Sequence, residues 1–204
     1  MINRKTHWES IYEHKALEDV SWYQSTPEIS LRYIHKCKLD KTAKIIDIGG
    51  GDGFLVDHLL DLGYSNVTVL DISEAAINRA KLRLGKRASQ VTWIVSDITM
   101  FIPQTKYDLW HDRATMHFLI NQFDIRQYLN TLNTKVHSGG FAILGTFSEN
   151  GPLKCSGIPI KQYSGKQLVE LIDRNYEKVD LEYLDHQTPF NTVQNFVFGR
   201  FHRR

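Results

Sequence analysis

Short runs of β-branched or aromatic residues recur along the chain at residues 43–48, 66–70, 91–95, 107–111 and 141–147, each bounded by polar or glycine-containing turns. Runs of that length and content predict strands. Between them apolar positions return at helical spacing over 53–62 (Phe54, Leu55, Val56, Leu59, Leu60), over 73–84 (Ala76, Ile77, Ala80, Leu84, with Ser73 as the cap) and over 122–136. Regular alternation of strand and helix favours a parallel sheet with helices on both faces, because parallel neighbours need crossover connections. The last third breaks that rhythm. After a helix near 164–173, two long alternating strands at about 177–185 and 193–201 are joined by the turn 186–191 with no helix between them. Strands linked so closely pair antiparallel. The fold class expected is therefore α/β, a doubly wound, mostly parallel sheet of seven strands ending in an antiparallel hairpin. Residues 1–37 precede the first strand and read as one or two helices carrying Trp8, Tyr12, Trp22 and Tyr23, an aromatic density unusual for a purely solvated extension.

Composition narrows the picture without changing it. A chain of 204 residues without repeats or linker-like stretches reads as a single domain over 1–204, with the sheet core at 43–204. Its net charge of +2 comes from interspersed residues, so no dedicated nucleic-acid surface is expected. The tail cluster of Arg200, His202, Arg203 and Arg204 is the local exception and reads as a solvated chain end. Cys37 and Cys155 lie far apart, outside any chelating spacing, so neither a disulfide framework nor a metal site is expected. The first residues are too polar for a secretory signal, and no apolar run approaches the roughly 18 residues of a membrane span, which points to a cytoplasmic protein without a membrane partner. Oligomeric state is left open.

Candidate chemistry begins at Asp47-Ile48-Gly49-Gly50-Gly51-Asp52-Gly53, which follows a buried strand and opens a helix. Open α/β sheets bind ligands at that place, beyond the carboxyl ends of their strands. A dinucleotide turn needs Gly-x-Gly-x-x-Gly, but counting from Gly49 and Gly51 the third position is Phe54. A phosphate loop is excluded too, since no Gly-Lys-Ser/Thr follows.

The spacing Asp47, Gly49, Gly51, Gly53 resembles the first motif of the class I S-adenosylmethionine-dependent methyltransferases, in a small bacterial-type subgroup, and the strand order agrees. That resemblance implies a Rossmann-like methyltransferase fold and S-adenosyl-L-methionine as cofactor, with Gly50 in the same turn. It assigns Asp71, at the end of the second strand, to the ribose hydroxyls, and Asp97, after the third, to the adenine amino group. Ile72 and Ile98 become the apolar walls of the ring slot. A cationic ligand without phosphate also suits three carboxylates at three strand ends, which would repel a pyrophosphate. Each aspartate taken alone reads equally well as a helix cap or loop residue.

The fourth motif falls on Tyr107-Asp108-Leu109-Trp110-His111-Asp112-Arg113, the loop that in this family runs beneath the reactive methyl. Asp108 matches a structural position, leaving His111, Asp112 and Arg113 as the catalytic candidates, with His111 also a cofactor contact. His117 is an alternative base that reads equally as a packed core residue. The resemblance makes residues 1–37 a helical lid in which Trp8, Tyr12, Trp22, Tyr23 and Gln24 cover the methionine end, Trp22 and Tyr23 as cofactor contacts. Cys155, His186, Gln187 and Gln194 are candidate pocket-wall residues. The function expected is methyl transfer to a small-molecule N, O or S nucleophile by in-line displacement, because a compact chain with a short lid suits an enclosed pocket. A protein lysine methyltransferase is the alternative, since Asp112-Arg113-Ala114 resembles that group's Asp-Lys-Gly turn, though Arg113 and Ala114 depart from it. A non-catalytic cofactor-binding protein is the alternative of another class.

Overall fold

The computed structural model describes residues 3–204. Met1 and Ile2, part of the segment expected to form the lid, lie outside the described residues.

Seven strands build the main sheet: β1 (Lys44–Ile48), β2 (Asn66–Asp71), β3 (Val91–Val95), β4 (Tyr107–Arg113), β5 (Val136–Phe147), β6 (Tyr176–Gln187) and β7 (Val193–Arg203). Their order across the sheet is β3-β2-β1-β4-β5-β7-β6. The first five run parallel, while β7 is antiparallel to both β5 and β6. The order reverses between β1 and β4, so the crossovers diverge there and open a crevice at the carboxyl ends of the strands. The expected mostly parallel sheet with its terminal hairpin is what forms.

Alternate residues of each buried strand feed different faces. Ile45 joins a core beneath α2 (Glu28–Lys36) and α3 (Leu55–Asp61), while Ile46 and Ile48 join another beneath α5 (Gln122–Lys135) and α6 (Gly165–Ile172). Ser73 caps α4 (Glu74–Leu84) by accepting from the Ala76 amide at 3.1 Å, as its sequence position predicts.

Two boundaries differ from expectation for a physical reason. The fifth strand begins at Val136, directly behind α5, because buried Val136 pairs with Tyr107; a register shift then skips residues 137–140 before pairing resumes at Leu109 with Phe141. The loop around Cys155 folds into a two-residue ribbon, Lys154–Cys155 against Ile158–Pro159, too short to leave a periodic signal. The segment expected to be a helical lid also splits in role. Helix α1 (Arg4–His14) buries only Tyr12 among its residues, whereas α2 buries Ile29, Ser30, Tyr33 and Ile34 and belongs to the layer packed on the sheet.

Candidate functional site

The glycine turn places backbone where side chains would collide. Gly49 and Gly51 take φ of 65° and 53°, and a Cβ on Gly49 would fall 1.8 Å from Thr115 Oγ1. At Gly50 a Cβ would fall 2.6 Å from Asp47 Oδ2, so the turn can lie flat against its own aspartate only without side chains. The Gly49 amide is tied to the Leu70 carbonyl at 2.7 Å, which fixes the turn against β2. Thr115 closes the turn from the other side by donating to the Ile48 carbonyl at 3.0 Å. No sequence pattern singled out that threonine, because its partner lies far away along the chain.

Asp47 is buried near the end of β1, and its register partner on β4 is His111. His111 Nδ1 lies 2.7 Å from Asp47 Oδ1, and His111 Nε2 lies 2.7 Å from Ser30 Oγ on α2. The carboxylate can only accept, so Nδ1 donates to it, and the serine hydroxyl engages Nε2 on the other side of the ring. Both nitrogens are thus occupied. Its ring lines the crevice and holds Asp47 in place.

At the end of β2, Asp71 accepts from the Ser73 amide at 2.8 Å. Burial pushes its carboxyl up to about 7, reinforced by the charges of Asp52 and Asp47 and opposed by amide hydrogen bonds from Ser73 and Gly51. Asp97, two residues beyond β3, accepts from the Thr99 amide at 2.9 Å and hydroxyl at 2.7 Å, and pairs with Arg4 of α1 at 3.0 Å. Ile72 and Ile98 line the crevice beside these carboxylates, and so does Asp52, which the sequence reading had left out. The Asp52 carboxyl is raised by burial, with Arg79 and Arg83 opposing that rise.

Along β4 the three catalytic candidates part company. Asp112 points away from His111 and does not line the crevice. Its carboxylate accepts from the amides of Thr115 at 2.9 Å and Met116 at 3.1 Å and from the Tyr128 hydroxyl at 2.8 Å. Burial raises it to about 6, opposed by those same donors. Strand alternation explains the correction: consecutive side chains face opposite sides of the sheet, so Asp112 organises the turn while His111 and Arg113 reach the crevice. Arg113 is partly buried, donates from Nη1 to the Trp22 carbonyl at 3.1 Å, and lies 5.3 Å from the centre of the Phe196 ring. Ala114 takes a φ of 68°, left-handed backbone in which glycine would be relaxed.

The wall opposite the sheet is aromatic. Trp8 and Tyr12 of α1 meet Trp22 at 5.7 and 6.1 Å between ring centres, and Trp8 meets Phe118 at 4.9 Å. Tyr23 stands edge-on to Phe54, and Tyr23 and Gln24 line the crevice with Cys155. Burial raises the Cys155 thiol, so it is a neutral wall group. His186, Gln187 and Gln194 are corrected as pocket-wall residues: none lines the crevice, and Gln187 faces solvent. His186 instead fastens the lid segment, with Nε2 at 2.7 Å from the Ser21 carbonyl and Nδ1 at 3.3 Å from Gln24. His117 takes the packed alternative. The Phe147 amide donates to its Nδ1 at 3.2 Å, and burial, aided by the charge of Arg113, drives its pKa down to about 3.

A 3-2-1-4-5-7-6 sheet with a glycine turn after β1, acidic residues at the ends of β1 to β3 and an aromatic lid defines the class I methyltransferase architecture. Residues 46–142 match the family described as a methyltransferase domain. Over that stretch, just under half of its length, the chain is similar to methyltransferases. It is 28% identical over 111 residues to the eEF1A lysine and N-terminal methyltransferase of Mus musculus, covering 54% of this chain and 16% of that protein. It is 30% identical over 112 residues to malonyl-[acyl-carrier protein] O-methyltransferase 2 of Ilyobacter polytropus, covering 54% of this chain and 42% of that one. The chain therefore spans less than half the length of these two relatives. In fold it is similar to the N-methyltransferase NodS from Bradyrhizobium japonicum WM9 in complex with S-adenosyl-L-homocysteine, with a TM-score of 0.72 at 18% identity over 96% of this chain and 97% of that one.

The residues present fit that family's cofactor. The cradle at Gly50 and Gly51 is one that a Cβ would fill, and Asp47, Asp52, Asp71 and Asp97 line or border the crevice with no phosphate-binding turn among them.

Proposed function

We propose that this chain binds S-adenosylmethionine in the crevice and transfers its methyl group to a small-molecule N, O or S nucleophile. The observation that carries the reading is the acidic lining at the ends of β1, β2 and β3 beneath an aromatic lid, which suits a cationic nucleoside and disfavours a pyrophosphate. In this reading Asp71 accepts from the ribose hydroxyls and Asp97 from the adenine amino group, between Ile72 and Ile98. Asp47, with Gly49, Gly50, Gly51 and Gly53, holds the amino-acid end; Trp22 and Tyr23 cover it. The bound cofactor supplies a methyl already activated by positive sulfur, so the protein needs chiefly to align the acceptor and exclude water.

Each part of the chain has a task within that chemistry. Paired with His111, Asp47 keeps a fixed orientation, and Trp8, Trp22 and Phe118 shut water out. Arg4 bridges Asp97 and Asp124 across the lid, so closure is coupled to the adenine end. His111, Arg113 and Cys155 are the polar groups on the acceptor side; with both His111 nitrogens engaged, its role there is to position rather than to remove a proton.

Among the described residues no helix is long and apolar enough to cross a membrane. A cytoplasmic address is part of the proposal, supported by free, buried Cys37 and Cys155. Likeness to eEF1A lysine methyltransferases favours a protein acceptor as the second reading. Incubation with methyl-labelled cofactor and cell lysate separates the two: label in the small-molecule fraction is expected, and label retained on protein would reject the first reading. Cofactor binding without turnover on any acceptor would instead leave a binding protein.

A further inference from the structure

Among the described residues two arginines line the crevice, and one of them has a counter-charge. Arg4 is paired with Asp97 and Asp124 at 3.0 and 2.7 Å. Arg113 has Nη1 on the Trp22 carbonyl, while its Nη2 is buried with no hydrogen-bond partner among the described residues. The acidic group whose charge reaches it, Asp47, is bonded to His111 instead. Burial lowers the guanidinium only to about 10, so it remains a cation at neutral pH. A cation whose free donor is shut away from water is an arrangement that proteins complete with an anion.

Its position says which ligand would bring that anion. Arg113 pairs with Gly145 of β5 and stacks over Phe196 of β7, on the side of the crevice away from the strand ends that carry Asp71 and Asp97. The neighbours it faces there are neutral donors or weak acceptors. His117 and His186 are both held neutral by burial with Arg113 adding to the effect, and Cys155 is a buried thiol. With its Nδ1 accepting from Phe147, neutral His117 carries its proton on Nε2, a second buried donor without a partner. Positive charge and an unused guanidinium donor thus stand on the acceptor side, where among the described residues the carboxylate whose charge reaches them, Asp47, is already bonded to His111.

We propose that Arg113 is the anchor for an anionic oxygen group of the methyl acceptor, so that the acceptor is a small organic acid whose carboxylate takes the free Nη2. The proposal rests on the methyltransferase reading above. Trp8, Trp22 and Phe118 supply an apolar wall for the rest of the acid. A carboxylate so held fixes the pose of the molecule and thereby which of its atoms faces the methyl.

Calorimetry on the whole chain tests this. Benzoate, acetate and the neutral isostere benzamide are titrated into wild type loaded with S-adenosylhomocysteine, and into Arg113→Met and Arg113→Lys. In wild type, benzoate or acetate is expected to saturate, and benzamide to bind at least about tenfold more weakly than benzoate. Arg113→Met loses about tenfold or more in carboxylate affinity and Arg113→Lys recovers part of it, as a point charge replacing a fork would. Neither carboxylate saturating, benzamide matching benzoate, or affinity unchanged in Arg113→Met each overturns the proposal. So does a selective loss of S-adenosylhomocysteine, with 5′-methylthioadenosine unaffected, since that assigns the arginine to the cofactor's own carboxylate. If Arg113→Met fails to fold, the wild-type benzoate and benzamide pair and Arg113→Lys still decide. Absence of any nucleoside binding would sink the cofactor reading alone, and benzoate titrated into ligand-free protein would then test Arg113 by itself.

Discussion

Single side chains here are governed by burial, and three of them make pH the most direct probe. Asp71 is held up near 7, so its carboxyl is largely protonated at pH 6 and ionised at pH 8, and only the ionised form can accept from both ribose hydroxyls. Affinity for S-adenosylhomocysteine should therefore rise about tenfold between pH 6 and 8, and Asp71→Asn should bind weakly with a flat profile. Calorimetry at several pH values checks this, and a flat wild-type profile would count against Asp71 as the ribose ligand. His117 and Asp112 act on stability with opposite signs. The folded chain keeps His117 neutral down to about pH 3, so between the unfolded value of 6.5 and that limit the unfolded state binds more protons and stability falls as pH drops. Asp112, raised from 3.8 to about 6, binds protons more readily in the folded state, so its contribution grows as pH falls through about 6. Thermal melts from pH 7 to 5 should show His117→Asn, which keeps an acceptor for the Phe147 amide, losing stability less steeply than wild type, and Asp112→Asn losing it more steeply. At the glycine turn, Gly49→Ala combines a left-handed φ with a Cβ only 1.8 Å from Thr115 Oγ1, and should lose nucleoside affinity by about tenfold or more while costing about 1–3 kcal/mol of stability.

Among the elements, α1 differs from the rest in how it is held. It buries only Tyr12, and specific polar contacts anchor it at both ends. Glu9 accepts from the Glu74 and Ala75 amides at 2.9 Å each, lending a carboxylate to the N-terminus of α4, and Arg79 of α4 donates to the Tyr12 and Lys15 carbonyls. Caps of this kind contribute about 1 kcal/mol, so Glu9→Ala should speed hydrogen exchange across residues 4–14 several-fold and leave the strands unchanged. Equal exchange in both proteins would show that the aromatic contacts alone hold the lid. The sequence announced the helices and strands well because periodicity and caps are local: Ser73 was legible as a cap, and the antiparallel pair followed from its short turn. It did not announce that α2 belongs to the core layer, because that depends on what the sheet places opposite Ser30 and Tyr33. The ribbon at Cys155 was hidden for the converse reason, being too short to repeat anything.

At the scale of the whole molecule, lid, glycine turn and three strand ends converge on one crevice, so a ligand bound there should stabilise all of them together. A ligand that binds only the folded state at 100 times its Kd adds about 2.7 kcal/mol. For a chain of this size that corresponds to a rise in Tm of roughly 5–10 °C. Melting curves with S-adenosylhomocysteine and with NAD(H) at equal multiples of concentration check it: a rise with the first alone is expected, and a rise with the second alone would overturn the cofactor assignment.

The residues by themselves settled the seven main strands and the helices between them to within their boundaries, that the last pair runs antiparallel, and where a ligand-binding turn lies. Those features come from interactions within a few positions: apolar spacing, backbone freedom at glycine, and a turn too short for a crossover. Partner choice was decided only by tertiary structure. His111 finds Asp47 64 positions away and Ser30 81 positions away, and Arg113 meets Trp22 across 91. Adjacent residues on β4 divide between the crevice and the turn because alternate side chains of a strand face opposite ways, and which way is set by the helices packed on each face of the finished sheet.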